Sequence, residues 1–329
     1  MRKLIGLAIV GLIAQLVDGA LGMGYGVTST SLLLIAGLTP AAASASVHLA
    51  ELGTTLVSGI SHHKFGNVDW KLTARLGIPG AIGAFLGATV LSRLSTEAAT
   101  PVMAGLLLVL GIYLLTRFVR VAGHAQIIKP GKLHTGFLTP LGLVGGFVDA
   151  TGGGGWGPVS TTTLLVVGRT KPRTVVGSVD TSEFLVTLFA SLGFLLGLGT
   201  AGINLGFVLA LLLGGLVAAP IAAYLVSRLP SAVLGTGAGV LIIVTNLRTL
   251  LKAGGVAADT RTLVLAIVGS LGVLTLGIAI QRHRARLQRE RAEAEQVEAE
   301  LFASEVSKAE LVDALDGGPA DPVAEAPTR

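Results

Sequence analysis

From Leu4 to Ile280 the chain is a succession of apolar runs, most of them long enough for a helix to cross a bilayer. A hydrocarbon core about 30 Å thick requires roughly 20 apolar residues at 1.5 Å per residue. A water-soluble core needs no such repetition. The runs are too uniformly apolar for barrel strands, which alternate. Backbone groups in lipid must be satisfied within the segment, and helices do this. The chain therefore reads as an all-α integral membrane protein, multi-pass, in the cell membrane. The mean hydropathy of +0.77 and the 13% of charged residues agree with this, and 46 glycines suit closely packed membrane helices. There is no cysteine, which excludes disulfides and thiolate metal sites. The net charge of +5 fits basic cytosolic loops. No basic patch is interleaved with aromatics, so nucleic acid is not an expected partner.

One segment occurs twice. "VDGALGMGYGVTSTSLLLIAGLTP" (Val17 to Pro40) matches "VDATGGGGWGPVSTTTLLVVGRTKP" (Val148 to Pro172). Asp18 pairs with Asp149, Gly22 with Gly153, Gly24 with Gly155 and Gly26 with Gly157. Thr30 pairs with Thr161 and Gly37 with Gly168. The register continues after one inserted residue: Ser46 with Ser178, His48 with Asp180, Glu51 with Glu183, Thr55 with Thr187. "LSRLS" (Leu91 to Ser95) then meets "VSRLP" (Val226 to Pro230). The period, roughly 130 residues, is far beyond that of solenoid repeats. It marks a duplicated membrane unit. The first 20 residues imitate a signal peptide, but Asp18 interrupts their end and their copy lies deep in the chain, so they read as a span.

Each unit is expected to have about four spans, the first of them broken by glycines. In the first, apolar segments cover about 4–20, 27–37, 41–61, 72–92 and 99–118, with the break at 22–26. A basic loop follows with Arg117, Arg120, Lys129 and Lys132. In the second they cover about 134–149, 158–168, 175–198, 204–228 and 231–252, with the break at 152–157. The domains are thus 1–132, the first repeat and its loop; 133–254, the second repeat; 255–281, an extra C-terminal span; and 282–329, a polar tail. "QRHRARLQRERAEAEQVEAEL" should be a solvated helix and "DGGPADPVAEAPTR" disordered.

The segments after the breaks are too short to span, so each break joins two half-helices, as a broken span or a re-entrant hairpin. Free backbone at such a break must be buried in protein or line a cavity. A half-helix starting there aims N–H groups and its positive dipole end at that cavity, and glycine lets a ligand approach closely. Glycines in membrane helices often serve packing alone. Two matched breaks favour a substrate site at the repeat interface. The candidate substrate-binding residues are Gly22, Gly24, Gly26, Thr28, Thr30, Gly153, Gly154, Gly155, Gly157 and Thr161. Ser29, Ser160 and Thr162 are further hydroxyl donors.

These breaks, "GALGMGYGVTSTSLL" and "GGGGWGPVSTTTLL", each followed by a proline and a small-residue helix, resemble those of the TauE/SafE sulfite exporter family, also called the toluene sulfonate uptake permease family. The resemblance covers about residues 4–253. It implies transport of small sulfur-containing anions such as sulfite or sulfonates. Thr30 and Thr161 stand near the place where the family motif carries a proline, and the last span and tail lie outside the resemblance.

Ionisable groups inside spans are costly and mark function. Glu51 and Glu183 hold matching positions; His48 and Asp180 lie three residues before them, Thr55 and Thr187 four after, on one helical face. A bare carboxylate repels an anion, so these groups are expected to bind a coupling proton or sodium ion, and desolvation favours the proton. The structural alternative is hydrogen bonding between helices. Asp18 and Asp149 either join in coupling or cap the breaks by accepting backbone N–H bonds. His62 and His63 read as an ordinary loop pair without acidic partners at metal-ligand spacing. No metal and no cofactor are expected.

A secondary transporter is the favoured class. An anion channel, or a carrier of other small organic acids, is the alternative. No GxSxG nucleophile or Walker motif is present, so neither an enzyme nor a nucleotide-driven pump is expected. If each broken pair is one crossing there are about nine spans, and the loops Lys64–Arg75 and Arg117–Lys132 share the cytosolic side with Arg2 and Lys3. That count puts the basic tail outside, so either the last span is not a full crossing or one broken pair is a hairpin. Whether the repeats are parallel or inverted depends on the same point, and the oligomeric state is open.

Overall fold

A computed structural model describes residues 2–21, 23–121, 131, 133–199, 203–226 and 231–316. Every regular element among them is helical. The chain divides into two compact units, Met1–Ile280 and Gln281–Arg329. The first contains α1 (Arg2–Leu21), α2 (Tyr25–Ile35), α3 (Pro40–Lys64), α4 (Trp70–Arg93), α5 (Thr96–Val121) and α6 (Thr135–Gly152). A π-helical turn, Gly157–Thr161, leads into α7 (Thr162–Val167), followed by α8 (Pro172–Leu198), α9 (Leu205–Val226) and α10 (Ser231–Ala253). The last helix, α11 (Ala258–Asp316), begins in the first unit and ends in the second.

Local chemistry sets the helix ends. Thr39 caps α3 just ahead of Pro40, and the Asp69 carboxylate accepts from the N–H groups of Lys71 and Leu72 at the start of α4, at 2.9 and 3.1 Å. Gly153, at φ 69°, ends α6 in the left-handed region that only glycine enters without strain.

Glycines also allow the closest crossings. α4 and α6 run in the same direction, with Gly142 against the Leu76 carbonyl, Gly146 against that of Gly80, and Gly87 against that of Phe147. α1 and α9 do the same: Lys3 sits 4.9 Å from the Phe207 ring, Gly11 meets Leu211, and Gly215 lies beside Gln15. α8 runs with α4, with Gly77 at Ser182 and Gly193 at Phe85 and Ala88, and against α3, with Gly59 at Thr181 and His48 beside Phe194. α10 runs against α5, with Gly235 at Phe118 and Gly111 at Ile242.

At both breaks the chain turns back. The Gly131 N–H donates to the Arg169 carbonyl at 3.3 Å, so α7 ends where α6 begins. The Tyr25 hydroxyl reaches the Leu211 carbonyl, whereas Leu33 and Leu38 share a buried cluster with Leu7 and Val208, near the starts of α1 and α9. This corrects the count of nine spans, because a half-helix that returns adds no crossing. Five helices among the described residues are long and apolar enough to cross a membrane: Trp70–Arg93, Thr96–Val119, Pro172–Leu198, Val233–Ala253 and Ala258–Glu300. α3 is 25 residues long, but His48, Glu51, Thr54, Thr55 and Ser58 lower its hydropathy.

The sharing of sides is corrected with it. Lys64, Lys71, Arg75, Arg169, Lys171 and Arg173 stand at one end of the bundle. Lys3 stands at the other, with Arg93, Glu97, Lys252, Asp259 and Arg261. Gly22, Lys129, Lys132 and Arg228 lie outside the described residues. The apolar part of α11 runs against α10, with Gly272 at Val240, and leaves Leu263, Ile267, Leu271 and Val273 exposed, a surface fit for lipid. In the second unit the helix continues to Asp316, with Arg286 Nε donating to Glu290 Oε1 at 2.6 Å. Residues 317–329, most of the stretch expected to be disordered, lie outside the described ones.

Candidate functional site

The two breaks meet backbone to backbone. A Cβ on Gly26 would fall 2.6 Å from the Gly154 Cα and 3.1 Å from the Gly153 carbonyl oxygen. The Thr30 hydroxyl, on α2, donates to that same carbonyl. Each break is tied by its own aspartate. Asp18 accepts from the Tyr25 N–H at 3.2 Å, and Asp149 from the Trp156 N–H at 2.9 Å. These carboxylates occupy the helix N-termini that a bound anion would otherwise use. An aromatic side chain then anchors each break to a neighbour. Fully buried Trp156 donates through Nε1 to the Val179 carbonyl at 3.1 Å and to Ser182 at 3.3 Å. Its counterpart Tyr25 donates to the Leu211 carbonyl at 3.4 Å.

A cavity of about 80 Å³ opens beside the meeting point. Gly24, Gly26, Gly154, Gly155 and Gly157 line it, with Asp18, Glu51, Asp180 and Glu183. Its size suits a few waters or one small polyatomic ion. Glu51 is 4% exposed and its Oε2 has no hydrogen-bond partner. The Ser58 hydroxyl donates to Asp180, and His62 Nε2 lies 3.6 Å from the same carboxylate, both side chains being about a quarter exposed. The cavity therefore meets solvent at its Asp180 end, which is the Lys64–Arg75 end of the bundle.

The opposite side is closed. His48 Nε2 meets Asp149 Oδ2 at 3.1 Å, with side-chain exposures of 0 and 2%. His48 Nδ1 donates to the Ser44 carbonyl at 2.8 Å. Both ring nitrogens face acceptors, an arrangement that the doubly protonated ring satisfies against a carboxylate. His48 and Asp149 thus stand apart from the cavity. The stripe His48, Glu51, Thr55 spans about 10 Å along α3, long enough to meet two different partners. Glu51 and Thr55 line the cavity, and His48 turns to α6. On α8, Asp180 and Glu183 line it, while Thr187 donates back to the Phe184 carbonyl at 3.0 Å.

Other candidates lie beside the cavity rather than on its wall. Gly153, Thr28, Thr30 and Thr161 are buried at the break, and the hydroxyls of Thr28, Ser29 and Ser160 have no partner. Thr162 is taken by Arg117, whose Nη1 also lies 3.3 Å from Met23 Sδ. Arg117 thus belongs to α5 and turns into the protein instead of joining a basic loop. His62 and His63 are likewise the last turn of α3, not a loop, and the packing of α3 on α8 supplies His62 with the acid it lacks in the local sequence. Among the described residues no group of three acidic or histidine side chains is placed to hold a metal ion. Gln15, Tyr25, Val27, Thr54, Ser58 and Pro158 complete the cavity wall. Thr54 and Ser58 stand three and seven residues after Glu51, and Gln15 three before Asp18, so helical spacing from the acids was the available signal.

The model of the family Sulfite exporter TauE/SafE matches residues 7–249. The chain is similar to the Probable membrane transporter protein YtnM of Bacillus subtilis (strain 168), with 50% identity over 271 residues, 82% of this chain and 90% of that protein. It is also similar to the Probable membrane transporter protein YdhB of the same organism, with 26% identity over 218 residues, 66% of this chain and 86% of that protein. No solved structure matches.

Proposed function

We propose, because the chain belongs to the TauE/SafE sulfite exporter family of membrane transporters, that its cavity carries small sulfur-containing anions such as sulfite or sulfonates, with protons as the coupling ion. The observation that carries the coupling is the wall itself. Four carboxyl groups, Asp18, Glu51, Asp180 and Glu183, surround a cavity of about 80 Å³. If all were ionised, an anion would be expelled, because like charges interact strongly where water is scarce. Protonation of Glu51 or Glu183 turns a repelling acceptor into a hydrogen-bond donor. The anion then meets carboxyl O–H groups and the glycine backbone. The partnerless Glu51 Oε2 is where such a bond is missing. The small volume favours sulfite-sized anions over larger organic acids.

The two halves act as an inverted duplication in this reading. Corresponding helices pair in corresponding ways: α1 on α9 as α6 on α4, with α3 against α8 and α5 against α10. Five elements with a turned-back pair leave the second half running opposite to the first. Substrate sites of such carriers lie at the repeat interface, where broken helices meet. The positive-inside rule assigns the Lys64–Arg75 end to the cytosol, and the arginines from Arg282 to Arg291, directly after the apolar run, follow the same rule. The open cavity then faces the cytosol.

The test is transport by purified protein in proteoliposomes. Sulfite, thiosulfate, a short alkyl sulfonate and acetate are compared with and without a pH gradient. Gradient-driven accumulation of the sulfur anions supports the reading; preference for acetate moves it to organic acids, and conduction without coupling moves it to a channel.

A further inference from the structure

The two pairs of ionisable residues that flank the breaks correspond in the repeat but differ in chemistry. His48 and Asp149 are in contact at 3.1 Å, buried, and close one side. Their counterparts are Asp180 and Asp18, which stand on the wall of the open cavity. A histidine and an acid at one end correspond to two acids at the other. We propose that Asp18 and Asp180 form a proton-binding gate: they close the cytosolic end of the cavity by coming together around one shared proton, as His48 and Asp149 close the other end by opposite charge.

The proposal rests on the inverted duplication read above. In such a carrier each end closes in turn, and the contact that seals one end has its counterpart at the other. For the Asp18–Asp180 pair, closure with both groups ionised is opposed by repulsion in a low dielectric. One proton removes that opposition and supplies a carboxyl-to-carboxylate hydrogen bond. The groups that face the pair fit this role. Asp18 accepts the Tyr25 N–H and has Glu51 across the cavity; Asp180 accepts the Ser58 hydroxyl and has Glu183 on its own helix. His62, from α3, lies 3.6 Å from the Asp180 carboxylate and is a quarter exposed, between Asp180 and the solution. The buried, partnerless Glu51 Oε2 on the same wall marks a second place for a proton within reach of the first. Closing at the cytosolic end thus requires a proton shared between two acids, whereas the other end is closed by an imidazole ring against a carboxylate.

The chain has no cysteine, so a single reporter is clean. Thr54→Cys places a thiol on the cavity wall, and a membrane-impermeant maleimide is applied to inside-out vesicles at pH 7.5. Asp180→Asn permits closure without a proton, and Asp180→His rebuilds the His48–Asp149 chemistry. Both are expected to slow labelling by at least about threefold, a modest shift of a two-state population. Removing a nearby negative charge favours the thiolate and by itself would speed labelling, so slowing reports closure. Asp18→Asn repeats the test from the other partner should an Asp180 variant not reach the membrane. Labelling at the parent rate, or faster, in all the variants that insert overturns the gate. The readout needs no substrate. A protein that carries no sulfur anion but shows the slowing refutes the substrate assignment and keeps the gate.

Discussion

Gly26 and Gly154 touch across the two breaks: a Cβ added to Gly26 would lie 2.6 Å from the Gly154 Cα and 3.1 Å from Glu51 Oε1. The contact joins the two breaks and brings an acid of α3 to the same point. A methyl group here has nowhere to go, since its nearest neighbour, the Gly154 Cα, is backbone. Gly26→Ala is expected to cost about 1–3 kcal/mol by overpacking and to reduce transport more than stability, because the cavity wall shifts. Gly6→Ala, where nothing lies within 4 Å, is the matched control and should be neutral or slightly stabilising. Thermal unfolding in detergent, beside transport in proteoliposomes, reads both.

The aromatic anchors differ in strength. Trp156 is wholly buried with two hydrogen bonds from its indole, whereas Tyr25 has one long bond. Trp156→Phe removes the donor and shrinks the side chain, and should destabilise by about 2 kcal/mol. Tyr25→Phe should cost less than about 1 kcal/mol. Equal shifts in the unfolding midpoint would contradict the geometry.

Coupling through carboxyl groups has a definite sign. If anion binding requires a protonated wall, binding takes up protons, and by linkage protons strengthen binding. Affinity for an alkyl sulfonate, which stays anionic throughout, should rise as pH falls from 8 to about 6. Calorimetry in two buffers of different ionisation enthalpy should show net proton uptake. No uptake would mean that the wall does not titrate with binding.

Much of this fold is legible in the sequence. The apolar runs locate the helices to within a few residues, and the doubled glycine motif marks both breaks. What escapes is direction. A short apolar segment after a break reads the same as the second half of a broken span or the returning arm of a hairpin. Only packing, such as Gly131 at Arg169, decides. The same blindness explains the charged partners. His48 and Asp149 are 101 residues apart, and Asp180 and His62 come from different helices, α8 and α3. Arg117 sits at the end of an apolar run, where a loop cation and an inward-turning one look alike. The cavity acids Glu51, Asp180 and Glu183 are visible because an ionisable residue inside a span has few bland explanations.

The charged half of α11, from Arg282 to Asp316, contains no long apolar run. Truncation after His283 should leave membrane insertion intact and transport within about twofold of the full chain, since surface polar segments away from a site are tolerated. Loss of transport with normal insertion would make the tail part of the mechanism.

The most direct test of the coupling claim is pH-gradient-driven accumulation of sulfite in proteoliposomes containing Glu51→Gln, Glu183→Gln and the double variant. Glutamine keeps size and hydrogen bonding but cannot exchange a proton. The account predicts that at least one single variant loses accumulation against a gradient while sulfite exchange at equal pH partly persists. Normal accumulation by all three would contradict it and leave these carboxyl groups a structural role alone.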